Sequence, residues 1–161
     1  MLDELARRYA LSFRKGRQAD EVKWNGVTLL KPVTFMNASG AAVQSALTRL
    51  RLSPADLLVV HDDLDLPFGR LRLRRGGSAG GQRGVADTVQ RIGPEFVRLK
   101  VGISRPPANW KVENWVLSRF GEAEQPLLKT VVETAADTVE LLLEAGLEAA
   151  MQRFNGLDLR E

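Results

Sequence analysis

Apolar positions at helical spacing open the chain. Leu2, Leu5, Ala6 and Tyr9 recur with Arg7 and Arg8 between them, which predicts an amphipathic helix over residues 2–11. Residues 21–24 and 27–30 are extended runs around Asn25-Gly26, a strong hairpin signal because both turn residues accept positive φ. TFMNASG, 34–40, reads as a loop. Ser39 reads as the N-cap of a helix running to about Arg51, with Val43, Leu47 and Leu50 on its apolar side. The continuous apolar run 57–60 suits a strand buried on both faces. It ends in His61-Asp62-Asp63, at the carboxyl end of a strand, where open α/β sheets place ligands.

RLRLR, 70–74, alternates strictly: Arg70, Arg72 and Arg74 share one face, Leu71 and Leu73 the other. GGSAGGQRG, 76–84, is a glycine-rich loop. The helix after it carries Val85, Val89 and Ile92 on one side and stops at Gly93-Pro94. Residues 96–103 alternate again, with Val97, Leu99, Val101 and Ile103 inward and Arg98 and Lys100 outward. Pro106-Pro107 opens an irregular stretch. A long amphipathic helix follows over 122–145, ended by Gly146, and then a short helix. There is no internal repeat. The pattern predicts an α/β fold, a single domain over residues 1–161.

Composition narrows the class. At 161 residues, with 44% hydrophobic and 27% charged, the chain has the balance of a globular domain. No apolar run approaches ~18 residues, so no membrane helix is expected. The absence of cysteine excludes a disulfide scaffold and cysteine-ligated zinc, and the single histidine excludes sites needing two from one chain. The charged opening MLDELARRYA is unlike a secretory signal, and a cytoplasmic protein is expected. The net charge of +3 is unevenly spread: residues 70–111 sum to +8 and residues 112–161 to −6. The positive segment points to a polyanionic partner.

Four features can carry chemistry. Alternate arginines of RLRLR lie about 6.6 Å apart, near the spacing of successive phosphates on an extended nucleic-acid strand. A solvated edge strand defended by charge reads equally well, though Arg75, Arg83, Lys100 and Arg105 nearby tilt toward nucleic acid. The glycine-rich loop matches neither the phosphate-loop nor the dinucleotide pattern, so it is either a flexible connector or a place of close backbone approach to an anion. HDDLD, 61–65, offers a metal site, a carboxylate that orients a histidine from elsewhere, or a polar strand-end cap. Asn37 offers two donors and an acceptor, or simply forms the loop. Trp24, Trp110 and Trp115 read as packing residues rather than base-stacking platforms.

Taken together, LLKPVTFMNASG (29–40), LLVVHDDLDLPFGRLRLRRGGSAGGQRG (57–84), RLKVGISRP (98–106) and WVLSRF (115–120) resemble bacterial peptidyl-tRNA hydrolases, in order over nearly the whole chain. The resemblance implies a twisted mixed sheet flanked by helices, and cleavage of the ester between a peptide and the 3′ ribose of tRNA. It implies no metal and no cofactor. The implied partner is peptidyl-tRNA, with no membrane, and a monomer is expected. Asp62 matches the aspartate that orients and polarises the catalytic histidine. Asn37 matches the asparagine that holds the substrate end and the attacking water, with Phe35 in the same substrate-contacting wall. Arg72 and Lys100 fall where the family grips phosphate near the acceptor end, and Arg70, Arg74 and Arg105 extend that basic strip. Gly80 and Gly81 match the loop flanking the cleft.

The chain departs from the family pattern in two places. Gln82-Arg83 stands where the family commonly shows His-Asn, and Arg83 can contact a phosphate or a peptide carbonyl but cannot accept a hydrogen bond as an amide does. The family's first strand and the Arg-His-Asn motif bearing the general base have no counterpart here, because residues 2–13 match the family's first helix. The resemblance therefore implies a truncated reading of a longer gene, with a valine-type start codon read as Met1. The missing strand would leave apolar surface and an unpaired sheet edge. His61 is a poor replacement for the base, because alternation points it away from the Asp62 face. The second reading is a non-catalytic RNA-binding relative, and the third an inactive remnant of the fold.

Overall fold

Asn25 and Gly26 take positive φ (47° and 78°), which closes β1 (Ala19–Trp24) on β2 (Val27–Pro32) through a two-residue turn. The register runs antiparallel from Ala19 opposite Pro32 to Trp24 opposite Val27. The structure, a computed structural model, describes residues 1–79 and 81–161, with every side chain among them except that of Asn37. These residues form two compact units, Met1–Val59 with Arg75–Val97 and Val60–Arg74 with Arg98–Glu161.

In the first unit, α1 (Leu2–Arg8) buries Leu5 and Ala6 and ends short of the expected residue 11, because the chain turns to positive φ at Ala10. Tyr9 then rests on Trp24 with ring centroids 4.5 Å apart. The segment expected to be a loop contains a 3-10 turn, Met36–Ala38, that runs directly into α2 (Ser39–Leu50). The N-cap is therefore Ala38, not Ser39, and the Ser39 hydroxyl donates back to the Met36 carbonyl at 2.9 Å. α3 (Arg83–Ile92) lies against α2: the Gly40 N–H donates to Asp87 Oδ2 at 2.8 Å. A Cβ at Gly40 would stand 2.6 Å from that oxygen, so the approach requires glycine.

The remaining strands are β3 (Leu58–Asp63), β4 (Leu71–Arg75) and β5 (Val97–Gly102), in the order β3-β5-β4. Val97 N donates to Leu57 O and Ile103 N to Asp63 O, so β5 runs parallel to β3. Gly76 N donates to Phe96 O and Gly102 N to Arg70 O, so β5 runs antiparallel to β4. The sheet is mixed, as the resemblance implied.

Strand order corrects two expectations. β3 is an edge strand, so Leu58, Val59 and Val60 are half-buried rather than buried on both faces. β5 is central and covered on both faces, so Arg98, expected outward, is 0% exposed.

β4 is the other edge, and the second unit closes it. The Asn155 amide accepts from Leu73 N at 2.7 Å and donates to Leu73 O at 2.9 Å, standing in for a neighbouring strand. The irregular stretch contains a short helix, α4 (Val112–Leu117), tied down by Trp115 Nε1 donating to Ser104 O at 2.9 Å. α5 (Gln125–Ala145) buries Val131, Ala135, Ala136 and Val139. Gly146, at φ 95°, breaks it from α6 (Leu147–Phe154). Among the described residues, no helix is long and apolar enough to cross a membrane.

Candidate functional site

The candidate residues form two groups, one in each unit. In the first unit, segments 35–39 and 81–84 meet although they are more than 40 positions apart in sequence. Phe35 is 87% exposed and precedes the Met36–Ala38 turn, whose Ala38 N–H donates to Phe35 O at 2.9 Å. Asn37 lies in this turn, and its side chain is outside the described residues. Gly80 also lies outside them. Gly81, at φ 81°, makes the turn into α3, where Arg83 is the first helical residue and is exposed. Gln82 caps α3, its Oε1 accepting from Val85 N at 2.8 Å, while its Nε2 donates to Met36 Sδ at 3.2 Å. Gly84 sits beneath that sulfur, where a Cβ would come within 2.8 Å of it. Sequence reasoning missed this junction because glutamine is not a usual N-cap residue.

In the second unit, the β4–β5 pairing brings the predicted cations together. The antiparallel register sets Arg72 directly opposite Lys100 and Arg74 opposite Arg98, all on one sheet face. Like charges placed opposite each other destabilise a sheet. Burial and the nearby Arg74 charge pull the Arg98 guanidinium below its ordinary value. Alternation assigned both Arg98 and Lys100 to the surface, but Arg98 is fully buried and Lys100 is half-buried. Of the four, Arg72 alone stands exposed on the surface. Lys100 Nζ lies 3.8 Å from Asp63 Oδ2. Arg70 turns partly toward the C-terminal segment, its Nη2 donating to Asn155 O at 3.4 Å. Arg105 is held by Asp65, through Nε at 2.8 Å and also through Nη2.

The three carboxylates of HDDLD do not converge. The parallel β3–β5 register places His61 and Asp63 on the cation face and Asp62, half-buried, on the leucine face. Asp63 Oδ1 accepts from Asp65 N at 2.8 Å, which turns the chain out of the strand. His61 is 7% exposed, and its Nδ1 donates to Asp62 O at 2.8 Å. Its Nε2 is buried with no hydrogen-bond partner among the described residues. Burial lowers the pKa of this imidazole, and the Lys100 charge adds to that effect against the raising pull of the Asp62 carbonyl and of Asp62 and Asp63.

A family model described as peptidyl-tRNA hydrolase matches residues 1–161. The chain is similar to a peptidyl-tRNA hydrolase of Deinococcus deserti, 48% identical over 99% of this chain and 76% of the relative. Another, from Symbiobacterium thermophilum, is 42% identical over 96% of this chain and 86% of the relative. The crystal structure of the Acinetobacter baumannii peptidyl-tRNA hydrolase superimposes with a TM-score of 0.88 at 32% identity, covering 98% of this chain and 83% of that one.

Proposed function

The chain belongs to the peptidyl-tRNA hydrolase family, and on that premise we propose that it hydrolyses the ester between a peptide and the 3′ ribose of tRNA, freeing the tRNA for translation. It acts as a monomer in the cytoplasm. Water is the nucleophile. The Asp62 carboxylate orients the imidazole that takes the water's proton and steadies the imidazolium that forms. The Asn37 amide holds the substrate end and the attacking water. Phe35, Gly80, Gly81 and Arg83 contact the substrate. Arg72, with Lys100, Arg74 and Arg70 behind it and Arg105 beyond, receives the phosphates.

One observation supports the nucleic-acid half of this reading: β4 and β5 place like-charged pairs opposite one another, an arrangement that a polyanion relieves. His61 does not suit the role of base, since it is buried, engages Asp62 through the backbone carbonyl and points to the other sheet face. The imidazole that takes the proton is therefore not that of His61, the single histidine among these residues. The test is hydrolysis of N-acetylaminoacyl-tRNA by this chain and by one extended upstream in its reading frame. Cleavage by the extended chain is expected. Cleavage at equal rates by both would overturn the assignment of the base, and tRNA binding without cleavage by either would favour a binding module.

A further inference from the structure

We infer that Gln82 is a positioning residue of the substrate site, its one amide tying the start of α3 to the Phe35–Asn37 segment and fixing where that segment is presented. The inference deepens the peptidyl-tRNA reading and rests on it.

A primary amide has an acceptor oxygen and a donor NH2 on opposite corners. Val85 N–H donates, so the oxygen must face it, at 2.8 Å. The NH2 is thereby aimed at Met36 Sδ, 3.2 Å away. Both ends of the amide are used, one on each side of the junction.

Met36 gives this bond its leverage. A methionine side chain has three soft torsions and fixes nothing by itself. Here the sulfur is seated over Gly84 and has the Ser39 hydroxyl 3.8 Å away on its other side. Phe35, immediately before it, is almost fully exposed and has no packing of its own to set its direction. The orientation of 35–37 thus depends on the anchored sulfur.

The identity of the cap supports the same conclusion. Serine, aspartate or asparagine caps a helix better than glutamine and loses less rotamer freedom. None of them is long enough to reach Met36 while holding Val85. The longer side chain is a poorer cap that makes a second bond. An imidazole also carries one acceptor and one donor on separate atoms, so histidine can bridge the same two groups.

The experiment compares Gln82→Glu, Gln82→His, Met36→Leu and the Gln82→Glu/Met36→Leu double variant with the parent chain. A carboxylate at position 82 keeps the cap acceptor but has no donor for sulfur, so the melting temperature is expected to hold. Affinity for an uncleavable 3′-amide analogue of N-acetylaminoacyl-adenosine is expected to fall about fivefold. Amide hydrogen exchange at 36–38 is expected to quicken, while affinity for uncharged tRNA stays the same. Met36→Leu is expected to do likewise, the double variant no more than either single one, and Gln82→His to leave both readouts as in the parent. Parent-like exchange and affinity in Gln82→Glu, or independent additive losses in the double variant, would overturn the inference. If the parent fails to bind the analogue, the peptidyl-tRNA reading fails, and the exchange rates alone still decide whether Gln82 holds the segment.

Discussion

A histidine with one ring nitrogen on a carbonyl and the other in a dry pocket is a weak base, and His61 is such a residue. Its folded-state pKa lies below the ordinary 6.5. As pH falls through 6.5, the unfolded chain takes up a proton that the folded chain refuses. The His61 contribution to stability is therefore fully present above about pH 6.5 and is lost below it, at most about 1.4 kcal/mol per pH unit until the folded pKa is reached. Thermal melts between pH 7.5 and pH 5 are expected to show a shallower acid-side slope in His61→Gln than in the parent. Equal slopes would mean that the imidazole is not held neutral. That His61 and Asp62 lie on opposite faces was legible in alternation. The burial of Arg98 was not, because a guanidinium at the centre of a sheet follows from strand order, which no local pattern carries. The Gln82–Met36 hydrogen bond was hidden for a related reason: it joins two motifs that are adjacent only after α2 and α3 have packed.

At the scale of elements, the most legible features are the locally encoded ones. The β1–β2 hairpin follows from Asn25-Gly26, the end of α5 from Gly146, and the one-sided charge of β4 from strict alternation. Elements set by long-range partners are not legible in this way. The apolar run Leu58-Val59-Val60 predicts a doubly buried strand, yet β3 is an edge. α4 is masked by the prolines before it, and its placement depends on Trp115 reaching Ser104. The guarding of the β4 edge by Asn155 has no sequence signature at all. β4 also carries a direct prediction. Arg72 is the exposed member of the cation face, so Arg72→Gln is expected to weaken tRNA binding evenly across tRNA species. It should also lower the slope of log affinity against log salt by about 1, because one phosphate fewer is neutralised. An unchanged slope, measured by filter binding from 50 to 300 mM salt, would remove Arg72 from the interface.

At the scale of the whole chain, the family was the most legible feature of all. TFMN, HDDLDLP and GGSAGG stand in order along the sequence, and the family match covers residues 1–161. The charge map agrees with a polyanionic substrate, since the +8 segment spans β4, α3 and β5 while the −6 segment holds α4 to α6. The site was legible only in part. Asp62 was picked out by motif, and the structure adds that its side chain and the Arg72–Lys100 pair occupy opposite faces of one sheet. On the proposed reading, proton chemistry belongs to one face and phosphate binding to the other. The most direct measurement is single-turnover release of the peptide from N-acetylaminoacyl-tRNA by the upstream-extended protein, beside its Asp62→Asn variant. Cleavage by the parent is expected, with a loss of about a hundredfold or more in the variant at unchanged tRNA affinity. An undiminished rate in Asp62→Asn, or no ester cleavage by the extended parent, would contradict the account.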